Sequence, residues 1–173
     1  MCRMLIVALI AASAAAAALS PAKAADSQAN KELYRSLMEE LWNKRDPSAI
    51  DRYLVPDFIE HNKNIPPGLA ARKAFVAAIF AGFSDYHAEI EEVVAEGDKV
   101  VARVQWTGTQ DGPFQGRPAT NNKLRFSTAD FFRVADGKLA EHWDVVDSLP
   151  RAIALGLVAA PKPAGEVAAP KSP

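Results

Sequence analysis

The sequence predicts an α+β fold, in which N-terminal helices pack on a curved, mostly antiparallel sheet enclosing a pocket. Three observations carry this. Apolar residues recur at three- and four-residue spacing up to about residue 82. The period changes to two from His87 onward, and Asp136-Gly137 sits between two runs of β-formers. No internal repeat breaks the order, and 173 residues fit one domain with a core of its own.

Asp26 or Ser27 can cap a first helix running to about Lys44, with Leu33, Tyr34, Leu37, Met38, Leu41 and Trp42 as its buried stripe. Asp46-Pro47 starts a second, short helix, the aspartate as cap and the proline in the first turn. Ile50, Tyr53 and Leu54 point inward from it. Residues 55–62 form a short strand or an irregular link. Pro66-Pro67-Gly68 breaks the chain and opens a third helix to about Gly82, which buries Phe75, Val76, Ile79 and Phe80.

Strands follow at 87–96 and 99–109, with Gly97-Asp98 between them. Val100, Ala102, Val104 and Trp106 share one face; Arg103, Gln105 and Thr107 take the other. Residues 112–122 are loop, rich in Gly, Pro and Asn. Two more strands close the sheet, and a short helix to about Leu157 covers one mouth.

Composition narrows the function. The formal net charge is −1, from 20 basic and 21 acidic residues with no basic run, so nothing marks a nucleic-acid partner. Arg3, the apolar stretch 4–19 and Ala22-Lys23-Ala24 read as a secretory signal peptide over 1–24. A membrane anchor fits less well, because the run is short for a span of about 20 apolar residues. The domain then occupies 25–158, and 159–173 is a disordered tail dominated by Pro, Ala and Lys. The expected location is periplasmic or secreted, with no membrane contact after cleavage. The single cysteine, Cys2, leaves with the signal, which excludes disulfides, thiol nucleophiles and thiolate metal sites from the mature chain. Removing Arg3 and Lys23 leaves 18 basic residues against 21 acidic ones.

The closing hairpin carries the chemistry. Leu124, Phe126, Phe132 and Val134 share a parity with Asp130, which alternation aims at the apolar side of the sheet. A carboxylate there costs several kcal/mol (order of magnitude) unless paired, protonated or working. A two-residue loop at Asp136-Gly137 would set Asp130 opposite Trp143. A three-residue loop, Ala135-Asp136-Gly137, with Gly137 left-handed as a bulge, would set Asp130 opposite His142 and Thr128 opposite Asp144. The second register is the one expected, because it gathers Asp130, His142, Thr128 and Asp144 on one concave face.

The segments Asp130-Phe131-Phe132-Arg133, Asp136-Gly137-Lys138-Leu139 and Glu141-His142-Trp143-Asp144 resemble the closing hairpin of the SnoaL-like polyketide cyclases. That family shares the cone-shaped fold of the nuclear transport factor 2-like superfamily. Phe58-Ile59-Glu60-His61-Asn62 and Glu96-Gly97-Asp98-Lys99-Val100-Val101 fit it too, and the likeness spans about residues 30 to 150. The resemblance implies an aspartate on the final strand, Asp144, as acid/base in an intramolecular aldol ring closure. It also implies a pocket-facing histidine at His61.

From the residues themselves, an apolar pocket would raise the pKa of Asp144 by desolvation, towards the range for taking and returning a proton. A strand-end carboxylate bound to backbone or His142 is the plain alternative. His142 can hold Asp144 ionised or donate to a developing enolate oxygen, or form a structural pair with Asp130, which orients it. Trp106, Phe126, Thr128 and Phe132 would contact substrate, with few polar groups to orient a hydrophobic small molecule. His87 is surface, and Glu89, Glu91 and Glu92 form a solvated strand face.

Other chemistries fit less well. His61, His142, Asp130 and Asp144 could compose a metal site, but no short His-x-His or His-x-x-His spacing supports one. No Gly-x-Ser-x-Gly elbow occurs. The limonene epoxide hydrolases place an arginine two residues before one aspartate, where this chain has Thr128. No trio matching the ketosteroid isomerases is found. Two readings therefore stand: a cofactor-free lyase or isomerase acting alpha to a carbonyl, or a non-catalytic ligand-binding or dimerisation module. A homodimer would form through the sheet face bearing Arg103, Gln105, Arg125 and Phe131.

Overall fold

The computed structural model describes residues 21–161. Of the proposed signal peptide, 1–24, residues 1–20 lie outside the described residues, as do 162–173 of the proposed tail, 159–173.

Helix α1 spans Pro21–Leu37 and runs on through a π-helical turn, Met38–Asn43. It starts ahead of Asp26 and Ser27, because the residues before them, Ala22 to Ala25, are strong helix formers and nothing halts the turn. The π turn is closed by Lys44 N donating to Glu39 O at 2.9 Å, five residues back. Leu37, Met38, Leu41 and Trp42 all face the core, as one helical stripe of adjacent pairs four residues apart.

Asp46 accepts hydrogen bonds from the Ser48 backbone N–H at 2.9 Å and its hydroxyl at 2.6 Å, and α2 (Ala49–Tyr53) follows. The undecided segment is a strand, β1 (Leu54–Glu60), with Leu54, Phe58 and Glu60 buried. Next come α3 (Leu69–Gly82), β2 (His87–Glu96), β3 (Lys99–Thr109), β4 (Lys123–Ala135), β5 (Lys138–Val146) and α4 (Ser148–Ala154).

The sheet order is β1-β5-β4-β3-β2, with β1 parallel to β5 and every other pair antiparallel. The inner face of β3 is fully packed, Val100 and Val104 both at 0% exposure. The loop between β3 and β4 is pinned by Gln110, whose backbone C=O accepts from the N–H of Thr120 (3.2 Å) and Asn121 (2.9 Å). That folds Phe114 onto Phe83, ring centroids 5.2 Å apart. Gly112 is required in this fold: a Cβ there would sit 1.9 Å from the Ala81 carbonyl oxygen.

The β4–β5 register differs from the expected one. Asp136 (φ 49°) and Gly137 (φ 72°) are both left-handed, so the turn is the two-residue type, and Ala135 pairs with Lys138. One strand residue later the ladder slips, Val134 opposite Leu139 but Arg133 opposite Glu141, leaving Ala140 as a bulge. Asp130 consequently faces Asp144, not His142; His142 faces Phe132, and Thr128 faces Val146. Turn and bulge each move the pairing by one residue. Two shifts restore parity, and Asp130, His142 and Asp144 still share the inner face.

Candidate functional site

The inner face of the sheet, the inward sides of α1 and α3, and the β3–β4 loop bound a cavity of about 70 Å³ with an open mouth. Its walls are mainly apolar and aromatic, and they include Trp106, Phe126, Thr128 and Phe132. Trp106 and Thr128 also support each other: the indole Nε1 donates to Thr128 Oγ1 at 2.9 Å. Of the ionisable candidates, Asp130, His142 and Asp144 line the cavity.

His61 does not. Glu60 pairs with His142 across the parallel β1–β5 ladder and faces inward, so the next residue faces outward. The His61 imidazole stacks flat on Trp143 on the outer side of the sheet, centroids 4.3 Å apart, and its Nε2 lies 3.0 Å from Glu141 Oε2. With His61 on the other face from His142, the metal ligand set considered from sequence is not assembled. Among the described residues no group of three or more His, Cys, Asp or Glu is placed to hold a metal ion.

Asp130 does not orient His142 either. That part belongs to Glu60, whose Oε1 lies 2.8 Å from His142 Nδ1. The Glu60 side chain is 0% exposed and His142 3%. Arg72 NH1 donates to Glu60 Oε2 at 3.1 Å, and the Asn62 backbone N–H donates to Oε1 at 3.0 Å. Burial by itself would raise the Glu60 carboxyl, but the His142 hydrogen bond and the Arg72 charge outweigh it and hold the carboxyl below its ordinary value. The ionised Glu60 holds His142 through Nδ1. The other nitrogen, Nε2, is left for the cavity that His142 lines.

Asp130 meets different surroundings. Desolvation raises its carboxyl above the ordinary value, against smaller opposing effects from His142, Thr128 and Tyr34. Tyr34 Oη donates to Asp130 Oδ2 at 2.8 Å from α1, so the fold does bring a tyrosine–aspartate pair together, with the tyrosine behind the aspartate. Burial also drives the Tyr34 hydroxyl well above its usual range, which keeps it a donor. Asp144 is only half-buried, and Asn62 Nδ2 donates to its Oδ2 at 2.7 Å.

The site therefore holds a base-type histidine fixed from behind, a buried carboxyl biased towards its protonated form, and a second carboxylate across the strand pair. Sequence reasoning missed Glu60, Arg72, Asn62 and Tyr34 as parts of it. Arg72 had a signal: residues 72, 76, 79 and 83 follow helical spacing on the inward stripe of α3 and just beyond it. Glu60 shares parity with Phe58, but its partner depends on β1 pairing parallel to a strand about 80 residues away.

A curved sheet walled by helices, with ionisable groups along two adjacent inner strands, defines the cup-shaped α+β class to which polyketide cyclases belong. The family model for SnoaL-like polyketide cyclases matches residues 32–154, and the chain belongs to that family. It is 33% identical over 101 residues to the aklanonic acid methyl ester cyclase DnrD of Streptomyces peucetius, covering 56% of this chain and 67% of that protein. Among solved structures, it resembles a SnoaL-like protein from Jannaschia sp. CCS1 (TM-score 0.69, 30% identity, 83% of this chain and 99% of that one). TsrD from Streptomyces laurentii is similar too (TM-score 0.68, 28% identity, 82% and 100%).

Proposed function

We propose that the cavity catalyses cofactor-independent acid–base chemistry at a carbon alpha to a carbonyl, as an intramolecular aldol cyclisation or an isomerisation of a hydrophobic small molecule. The observation that carries this is the Glu60–His142 hydrogen bond beside the buried Asp130, inside apolar walls. His142 Nε2 takes the alpha proton, and the carbonyl receives the electron pair as an enolate. Asp130, protonated, donates a hydrogen bond to the enolate oxygen. The enolate carbon then attacks a second carbonyl of the same molecule, forming the new C–C bond, and the resulting alkoxide takes the proton back from the imidazolium. Asp144, which sequence alone favoured as the proton carrier, yields that part to His142 and stands as a second carboxyl group opposite Asp130. Family membership and the likeness to a named cyclase support the reading.

The test follows alpha-proton exchange of a panel of bicyclic and tricyclic aryl ketones in D₂O by proton NMR. Exchange above buffer is expected, falling about 10²–10⁴-fold in His142→Asn and less in Asp144→Asn. Binding of the ketones with no exchange across the panel would replace catalysis with a ligand-binding role.

A further inference from the structure

We propose that Tyr34 is a positioning residue for the chemistry of this cavity: its buried hydroxyl, bonded to Asp130 from behind, turns the carboxyl's own hydrogen towards the cavity and the substrate's carbonyl oxygen. The inference rests on the acid–base reading above, and it names the group that makes Asp130 a directed donor.

Tyr34 is 0% exposed and does not line the cavity, so it does not meet a substrate itself. Phe132 stands between it and the imidazole, its ring centroid 5.7 Å from that of Tyr34 and 4.5 Å from that of His142. The tyrosine therefore reaches the reacting groups only through Asp130, whose Oδ2 lies 2.8 Å from its hydroxyl. A phenol can donate or accept, and here the surroundings decide. Among the described residues the Tyr34 hydroxyl has no second hydrogen-bond partner. A buried O–H left without an acceptor is strongly unfavourable, so its hydrogen goes to Asp130.

Thr128 closes the other side. It lies two residues from Asp130 on the same buried face of β4, and its Oγ1 accepts from Trp106 Nε1 at 2.9 Å. Its own hydrogen is thereby left to give, and its hydrogen bond to Asp130 favours the carboxylate, as a donor's does. Both wall neighbours of Asp130 are thus donors, and Arg72, the charged group facing it from α3, accepts nothing. None of them can take the hydrogen of a neutral Asp130. It points instead into the cavity that Asp130 lines with His142 and Asp144 of β5.

Two readouts test this. One is alpha-proton exchange in D₂O against pH, using the ketone of the panel that exchanges fastest in the wild type. The other is the titration of Asp130 by carbon NMR of isotope-labelled aspartate, its signal assigned by its loss in Asp130→Asn. Tyr34→Phe keeps the ring and removes only the donor. The Asp130 midpoint should rise by about one unit, the size of one hydrogen bond to a charged group. Exchange should fall about tenfold, with its alkaline limb moved up in step. Asp130→Asn should turn its carbonyl oxygen to Tyr34 and its amide N–H to the cavity, retaining exchange within about tenfold of wild type without the alkaline limb. Adding Tyr34→Phe to it should lower exchange about tenfold further. A midpoint and profile unmoved by Tyr34→Phe, or an Asp130→Asn protein as slow as Asp130→Leu, overturns the inference. No exchange in the wild type, with the midpoint still raised in Tyr34→Phe, defeats the acid–base reading and leaves the hold of Tyr34 on Asp130 standing.

Discussion

Replacing Glu60 by Gln tests the buried charge network on which the site depends. Gln keeps the shape and an acceptor for His142, but it removes the negative charge facing Arg72 NH1 at 3.1 Å. The Arg72 side chain is only 8% exposed, so its guanidinium would stay buried without a counter-ion. Breaking such a pair from one side costs about 3–5 kcal/mol. Against a total stability of roughly 5–15 kcal/mol for a domain, that is a large fraction. At about 4 °C per kcal/mol it lowers the melting temperature by about 12–20 °C. Urea unfolding followed by tryptophan fluorescence measures the loss. The double variant Glu60→Gln, Arg72→Met removes both charges and should recover most of the stability, but not ketone exchange, because His142 still lacks an ionised partner. A Glu60→Gln protein within about 0.5 kcal/mol of wild type would refute the coupled network.

Asp130 and Glu60 should pull stability in opposite directions with pH. Burial raises Asp130 above 3.8, so its contribution is complete below that value and is lost as pH rises through its folded-state pKa. Glu60 is depressed below 4.5, so its contribution is complete above 4.5 and is lost as pH falls through the lower value. Asp130→Asn should therefore gain on wild type as pH increases; parallel stability curves from pH 3 to 8 would contradict this. On the outer sheet face, Phe131 is 39% and Val145 66% exposed, flanking a groove with Val101 and Trp143. A homodimer through this face is proposed, which Phe131→Asp with Val145→Asp should convert to monomer by light scattering; a wild-type monomer sinks it. Gln105 is not part of that contact area, since it is buried and donates to the Phe126 carbonyl oxygen at 2.6 Å. Export is proposed as well. Expression with the full leader in a bacterial host should yield a periplasmic protein starting at Ala25, and an uncleaved chain in the cytoplasm would count against it.

The sequence by itself determined the class of fold, the strand limits of β2 and β3, the Asp46 turn that leads into α2, and the parity that turns Asp130 inward. Each of these depends on local periodicity or on a side chain bonding a few residues away. Only the tertiary structure decided who meets whom. The turn at Asp136-Gly137 gave a two-residue loop, and the bulge at Ala140 then restored the inward parity by a route that local signals do not fix. The parallel β1–β5 ladder sent His61 outward and delivered Glu60 to His142, a partnership between segments some 80 residues apart. The π turn in the first helix and the inward Arg72 complete the arrangement. Alternation says which face a side chain takes, but burial of a charge becomes tolerable only when a distant segment supplies its partner, and that pairing is a property of the packed fold.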